Sequence, residues 1–335
     1  MTVKAYISGC AGLVLTDEEV RFFAEAQPWG FILFKRNCDT PEQVAALTLS
    51  LRAAVGRPGA PVFVDQEGGR VQRLAPPNWP AYPSARHFGE LFARDPAAGR
   101  RAARLGMRLI AADLIDIGID VDCVPCLDLP VEGAHDVIGR RAYALDPDVI
   151  IELGTQAADG LLAGGVVPVI KHMPGHGRAG VDSHLHLPEV GASLDELRAS
   201  DFRPFQALRH LPFAMTAHVV YTAIDAKRPA TQSPIVVSDI IRGEIGFAGC
   251  LISDDLSMQA LSGGIGERAA AVFAAGVDLA LHCNGKMDEM VEVADNCPAL
   301  QGDAASRAER ALGWRRTPEA FDRERVRAEF ADLMG

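Results

Sequence analysis

Eight short β-branched runs, each followed by a longer segment of helical periodicity, recur along this chain of 335 residues and leave few folds open to it. The runs are Lys4–Ile7, Gly30–Phe34, Val62–Val64, Val121–Leu127, Val166–Ile170, Phe213–His218, Cys250–Ser253 and Leu279–His282. Strands that alternate with helices pair in parallel, because a parallel neighbour can be reached only by a long crossover. The helix starts between them are written in side-chain chemistry. Thr16 with Glu19 and Ser193 with Glu196 have the spacing of capping boxes, while Thr40-Pro41, Asp95-Pro96 and Asp146-Pro147 set a capping side chain before a proline at the first helical position. Pro96 to Ile117 reads as one long helix entering the fourth strand. Beyond Asn284 the chain is charged and helical through Arg327, with Trp314 as a packing anchor. No linker of domain-separating composition interrupts the pattern. The expected fold is α/β, a single (β/α)8 TIM-type barrel over residues 1–335, with a C-terminal helical segment of about 286–335 packed on it. A doubly wound sheet is the alternative.

A barrel of this kind works at the C-terminal ends of its strands, so polar residues there carry weight. Asp65 follows the third run, Asp128 the fourth, Lys171 and His172 the fifth, His218 ends the sixth, Asp254 follows the seventh and Asn284 the eighth. The densest of these sites is Lys171-His-Met-Pro-Gly-His-Gly-Arg-Ala-Gly-Val-Asp-Ser-His184, which packs a Lys, three His and Asp182 into one Gly/Pro-broken loop. Two chemistries fit it. In one, His184 is a general acid/base with Asp182 fixing its tautomer. In the other, His172, His176, His184 and His186 ligate a metal. At Asp254-Asp255 one carboxylate can cap the following turn while the other reacts. Val64-Asp-Gln-Glu-Gly-Gly-Arg-Val-Gln-Arg73 makes a tight turn at Gly68-Gly69 and offers Asp65 and Arg73 to a hydroxylated ligand.

Composition narrows the partners. A formal charge of -11 with no basic run excludes a nucleic-acid partner and leaves a neutral or polar small molecule. Seven cysteines do not form a disulfide framework, and strand alternation across Cys123-Val-Pro-Cys126 would point that pair to opposite faces. Ile7-Ser-Gly-Cys10 has the look of a lipoprotein cleavage site, but too few apolar residues precede it, and no run approaches membrane-spanning length. A cytoplasmic protein without a membrane partner is expected.

These residues resemble a known family. From about Gly30 to Asn284, through Gly30-Phe-Ile-Leu-Phe-Lys-Arg-Asn37, the Val64–Arg73 segment, Lys171-His-Met-Pro-Gly-His-Gly177, Asp182-Ser-His184 and Ser253-Asp-Asp-Leu-Ser-Met258, the chain is similar to the bacterial β-N-acetylhexosaminidases of glycoside hydrolase family three, of the single-domain type that works in cell-wall recycling. The resemblance implies that Asp254 is a nucleophile and that His184, paired with Asp182, is the acid/base. It implies that Asp65, Arg73, Arg141, Lys171 and His172 hold the sugar. It further implies retaining release of N-acetylglucosamine from muropeptide fragments by a monomer that uses no metal and no cofactor. Two stretches depart from the family pattern. Gly139-Arg140-Arg141-Ala142-Tyr143 stands where Gly-Asp-Arg-Ser-Phe is usual, and Met173 stands where a Phe follows Lys-His.

Overall fold

The computed structural model describes residues 2–183 and 186–335. Eight parallel strands close into a barrel in chain order: β1 (Lys4–Ser8), β2 (Pro28–Leu33), β3 (Val62–Val64), β4 (Val121–Asp122), β5 (Val167–Met173), β6 (Phe213–Thr216), β7 (Cys250–Asp255) and β8 (Leu279–His282), with β8 pairing back onto β1. The barrel, and not the doubly wound sheet, is what the eight runs build. Three runs end short of their expected bounds: β2 at Leu33 rather than Phe34, β6 at Thr216 rather than His218, and β4 by the most. β4 stops at Asp122 rather than reaching Leu127, because Pro125 has no N–H to give the ladder, although Leu127 N–H still donates to Lys171 O at 2.7 Å.

Strand alternation sorts the core into two layers. Phe63, Val167, Val169, Phe213, Met215, Cys250, Ile252, Leu279 and Leu281 fill the barrel, while Val62, Val64, Ile170, Ala214, Leu251 and Ala280 face the helices. Low in the interior Trp29, Phe63 and Phe213 form a ring trio with centroids 5.9–6.1 Å apart. Ala308 and Ala311 of the C-terminal segment join that interior layer, with Trp314 packed against it.

The five sequence-marked helix starts are caps. Thr16 and Ser193 close capping boxes ahead of α1 (Asp17–Ala26) and α6 (Leu194–Ala199). Thr40, Asp95 and Asp146 accept N–H groups of α2 (Pro41–Ala54), α4 (Pro96–Ile115) and α5 (Pro147–Ala163). Between α2 and α4 lies α3 (Ala85–Arg94), and α6 is followed by α7 (Phe202–Leu208). The C-terminal helices are α8 (Ile265–Ala274), α9 (Met287–Asn296), α10 (Gly302–Leu312) and α11 (Arg323–Met334), so helix continues past Arg327. Among the described residues no helix is long and apolar enough to cross a membrane. All seven cysteines are free thiols, and burial pushes Cys123 and Cys126 well above the usual thiol range.

Candidate active site

A cleft of about 460 Å³ opens at the C-terminal ends of the strands. Asp65, Arg73, Arg141, Lys171, His172, Asp182 and Asp254 all line it, although they come from five separate stretches of chain. His184, expected as the acid/base, lies outside the described residues.

The hairpin after β3 builds one wall. Its strands, Gln66–Gly68 and Val71–Gln72, are joined through Gly68 and Gly69, whose φ angles are 89° and 60°. A Cβ on Gly68 would lie 2.3 Å from Pro83 O, so the position admits no side chain. Gln66 points away from the cleft and staples the hairpin: its Oε1 accepts Arg73 N–H at 2.9 Å and Leu74 N–H at 3.0 Å. Asp65 and Glu67, two residues apart on an extended chain, therefore share the opposite face.

Lys171, buried at the end of β5, spans both acids: Nζ lies 2.7 Å from Asp65 Oδ1 and 2.7 Å from Glu67 Oε1. Arg73 donates to Asp65 Oδ2 at 2.9 Å, and Arg141 forks onto Glu67 at 2.9 and 2.7 Å. Burial by itself would raise both carboxyl pKa values. Lys171 and Arg73 outweigh it at Asp65, which is held well below the usual carboxylate range, and Arg141 with Lys171 brings Glu67 to about 2. The same pairing outweighs burial at Lys171 and keeps its ammonium charged. The wall is thus a set of fixed charges with defined donors and acceptors, suited to sorting the hydroxyls of a sugar.

Asp128 organises the next stretch. It is fully buried and accepts His172 N–H at 3.1 Å, His176 N–H at 2.7 Å, His172 Nδ1–H at 2.6 Å and Cys126 Sγ–H at 3.2 Å. Burial opposes its ionisation, but His172, His176 and these bonds lower its pKa well below the usual value. An ionised Asp128 can only accept, so His172 carries its proton on Nδ1. Its Nε2, 3.4 Å from Arg141, is left as an acceptor at the cleft. Of the His residues weighed as a metal set, His172 is bonded to Asp128, His176 Nε2 meets Ser183 Oγ at 2.9 Å, and His186 is exposed. Among the described residues the donors grouped closely enough for an ion are Cys126, Asp128 and His172, which are bonded to one another.

Asp254 and Asp255 divide their work. Asp255 accepts from Ser257 N–H at 3.0 Å, Ser257 Oγ–H at 2.6 Å and Cys283 N–H at 3.1 Å, which commits it to the turn after β7. Asp254 accepts Asp255 N–H at 2.8 Å and lines the cleft. His218, another strand-end residue, is buried between Thr231 Oγ at 2.8 Å and Asp255 O at 3.0 Å, a structural placement. Arg140, where the family pattern has Asp, turns outward to Glu90 of α3 at 3.0 Å and leaves the Arg141–Glu67 fork intact. Glu67 is not singled out by the sequence as a site residue, and Asp128 is marked there only as a polar residue at a strand end, with no partner or role. The two-residue spacing from Asp65 was the available signal for Glu67, whereas nothing local pairs Asp128 with His172, 44 positions on.

Comparison with known proteins bears on the family and the fold. Residues 12–312 match the glycosyl hydrolase family 3 N-terminal domain. A beta-hexosaminidase of Aromatoleum aromaticum is 37% identical over 317 residues, covering 93% of this chain and 87% of the relative. The structure of NagZ from Neisseria gonorrhoeae in complex with N-trifluoroacetyl-D-glucosamine superposes with a TM-score of 0.90 at 35% identity, covering 100% of this chain and 99% of that one. NagZ from the same organism in complex with zinc ion gives 0.88 at 34% identity, covering 100% and 99%. A closed parallel barrel with one charged cleft at its strand ends, matched over almost its whole length, places the chain in glycoside hydrolase family 3, as a β-N-acetylhexosaminidase.

Proposed function

We propose that this enzyme is an exo-acting β-N-acetylglucosaminidase that removes terminal N-acetylglucosamine from muropeptide fragments with retention, as a cytoplasmic monomer in cell-wall recycling. The observation that carries the chemistry is the placement of Asp254 and Asp182 on the same cleft as the Asp65–Lys171–Glu67–Arg141 wall. The sugar is held by Asp65, Arg73, Arg141, Lys171 and His172. Asp254 attacks the anomeric carbon, and His184, oriented by Asp182, protonates the leaving oxygen. Water, deprotonated by the same imidazole, then releases the sugar from the glycosyl-enzyme. An imidazole suits both halves, because its pKa lies near neutrality. The substrate class is supported by the N-acylated glucosamine bound to the Neisseria relative.

Purified protein should release nitrophenol from nitrophenyl β-N-acetylglucosaminide at a rate that chelator does not change. Asp254→Ala should lose roughly three orders of magnitude or more in kcat. A fully active Asp254→Ala enzyme would remove that residue as nucleophile, and activity abolished by chelator and restored by zinc would replace the mechanism with a metal-assisted one. Product analysis with a muropeptide, with and without phosphate, identifies the natural aglycone and the second acceptor.

A further inference from the structure

Beneath the sugar-binding wall lies a carboxyl group that the mechanism does not use. Asp122, the last residue of β4, is 0% exposed. Its Oδ1 accepts Gln66 N–H at 2.9 Å, and its Oδ2 is buried without a hydrogen-bond partner. The cations of this region are committed elsewhere: Lys171 to Asp65 and Glu67, Arg73 to Asp65, Arg141 to Glu67. Among the described residues no cation forms an ion pair with Asp122. A carboxylate in that setting sets one backbone hydrogen bond and no ion pair against its lost hydration, and such groups keep their proton instead.

We propose that Asp122 is a neutral carboxylic acid that acts as the positioning residue of the sugar-binding wall. The route runs through Gln66. Asp122 fixes the backbone N–H of Gln66, and the Gln66 side chain fixes the backbone of Arg73 and Leu74 at the far end of the hairpin. Asp65 and Glu67, on either side of Gln66, are thereby aimed at Lys171. The proton keeps a third negative charge away from those two acids, so that Lys171 is shared by two carboxylates and not three. The groups facing Asp122 are Asp65 and Glu67 from the hairpin, Lys171 from β5, its neighbour Cys123, and Tyr143 from the segment before α5. Burial is the largest influence and raises the Asp122 pKa to about 8, with Gln66 N–H and Lys171 pulling the other way and Asp65 and Glu67 adding to the rise.

The inference rests on the sugar-binding reading only for its functional half, and the two halves are tested separately. For the proton, the stability of Asp122→Asn is compared with the parent across pH. Because the unfolded carboxyl ionises near 3.8 and the folded one near 8, the parent should lose stability relative to the variant as pH rises from about 4 to 8, and the gap should level off above that. A gap that does not change with pH overturns the neutral carboxyl, since a merely structural hydrogen bond gives a constant difference. For positioning, N-acetylglucosamine binding is measured calorimetrically. Asp122→Leu should weaken it about tenfold, the scale of one hydrogen bond, and Asp122→Asn, which keeps the acceptor for Gln66 N–H, should restore it. Equal affinity of Asp122→Leu and parent overturns the positioning role. If the Leu variant does not fold, a fall in the parent's affinity above pH 8 that is absent in the Asn variant decides instead, and equal pH dependence overturns the role. A parent that binds no N-acetylglucosamine at all refutes the proposed substrate and leaves the pH-stability result standing.

Discussion

The ammonium of Lys171 sits 2.7 Å from one oxygen of Asp65 and 2.7 Å from one of Glu67, so each acid depends on a cation that it shares. Neutralising one acid therefore changes the other. In Glu67→Gln, Arg141 loses one of the two carboxylate oxygens it forks onto, and Lys171 is drawn wholly to Asp65. Hydrogen bonds to charged groups contribute about 1.5–3 kcal/mol each, so KM for the nitrophenyl substrate should rise roughly tenfold to a hundredfold, with a smaller change in kcat. Steady-state kinetics on the purified variant check this, and an unchanged KM would take Glu67 out of the binding wall. The sequence shows Asp65 and Glu67 two apart, which is a local pattern. It does not show that their shared partner lies more than a hundred positions later, at Lys171, because a salt bridge across strands leaves no periodic trace.

Local chemistry explains why the elements were readable. A cap needs only a side chain and the N–H groups two or three residues on, so Thr16, Thr40, Asp95, Asp146 and Ser193 announce their helices in the primary structure. The end of β4 is not legible locally, for the opposite reason. Residues 121–127 look like one strand by composition, but the ladder depends on which N–H groups the neighbouring strand needs, and Pro125 cannot supply one. The hairpin after β3 is the element on which the site leans most. Gly68→Ala would place a methyl group against Pro83 O at a φ of 89°, so the hairpin must shift. We expect a loss of more than about 1 kcal/mol in stability together with a raised KM, because Asp65, Glu67 and Arg73 all ride on that turn. Denaturant melts and kinetics on the same preparation test it. A stable variant with unaltered KM would show that the turn tolerates a left-handed alanine.

Across the whole molecule the buried histidines set the acid limit. Burial lowers His176 to about 4 and also depresses His218, so both are neutral in the folded protein at pH values where an unfolded histidine is already charged. Their contribution is complete above the ordinary histidine pKa of about 6.5 and is lost as pH falls toward 4. Glu67 adds a second loss between its ordinary 4.5 and about 2. Stability should therefore fall from pH 6.5 downward, and His176→Gln, which cannot titrate, should flatten the upper part of that fall in a series of urea melts. An equally steep decline in the variant would assign the acid limit to other groups. The layered interior has a separate consequence. Trp29, Phe63 and Phe213 fill the barrel below the cleft, and Ala308 and Ala311 join the same packed layer. The cleft is consequently a cul-de-sac, and traffic through it is single file. Whatever enters the cleft therefore leaves by the mouth through which it came.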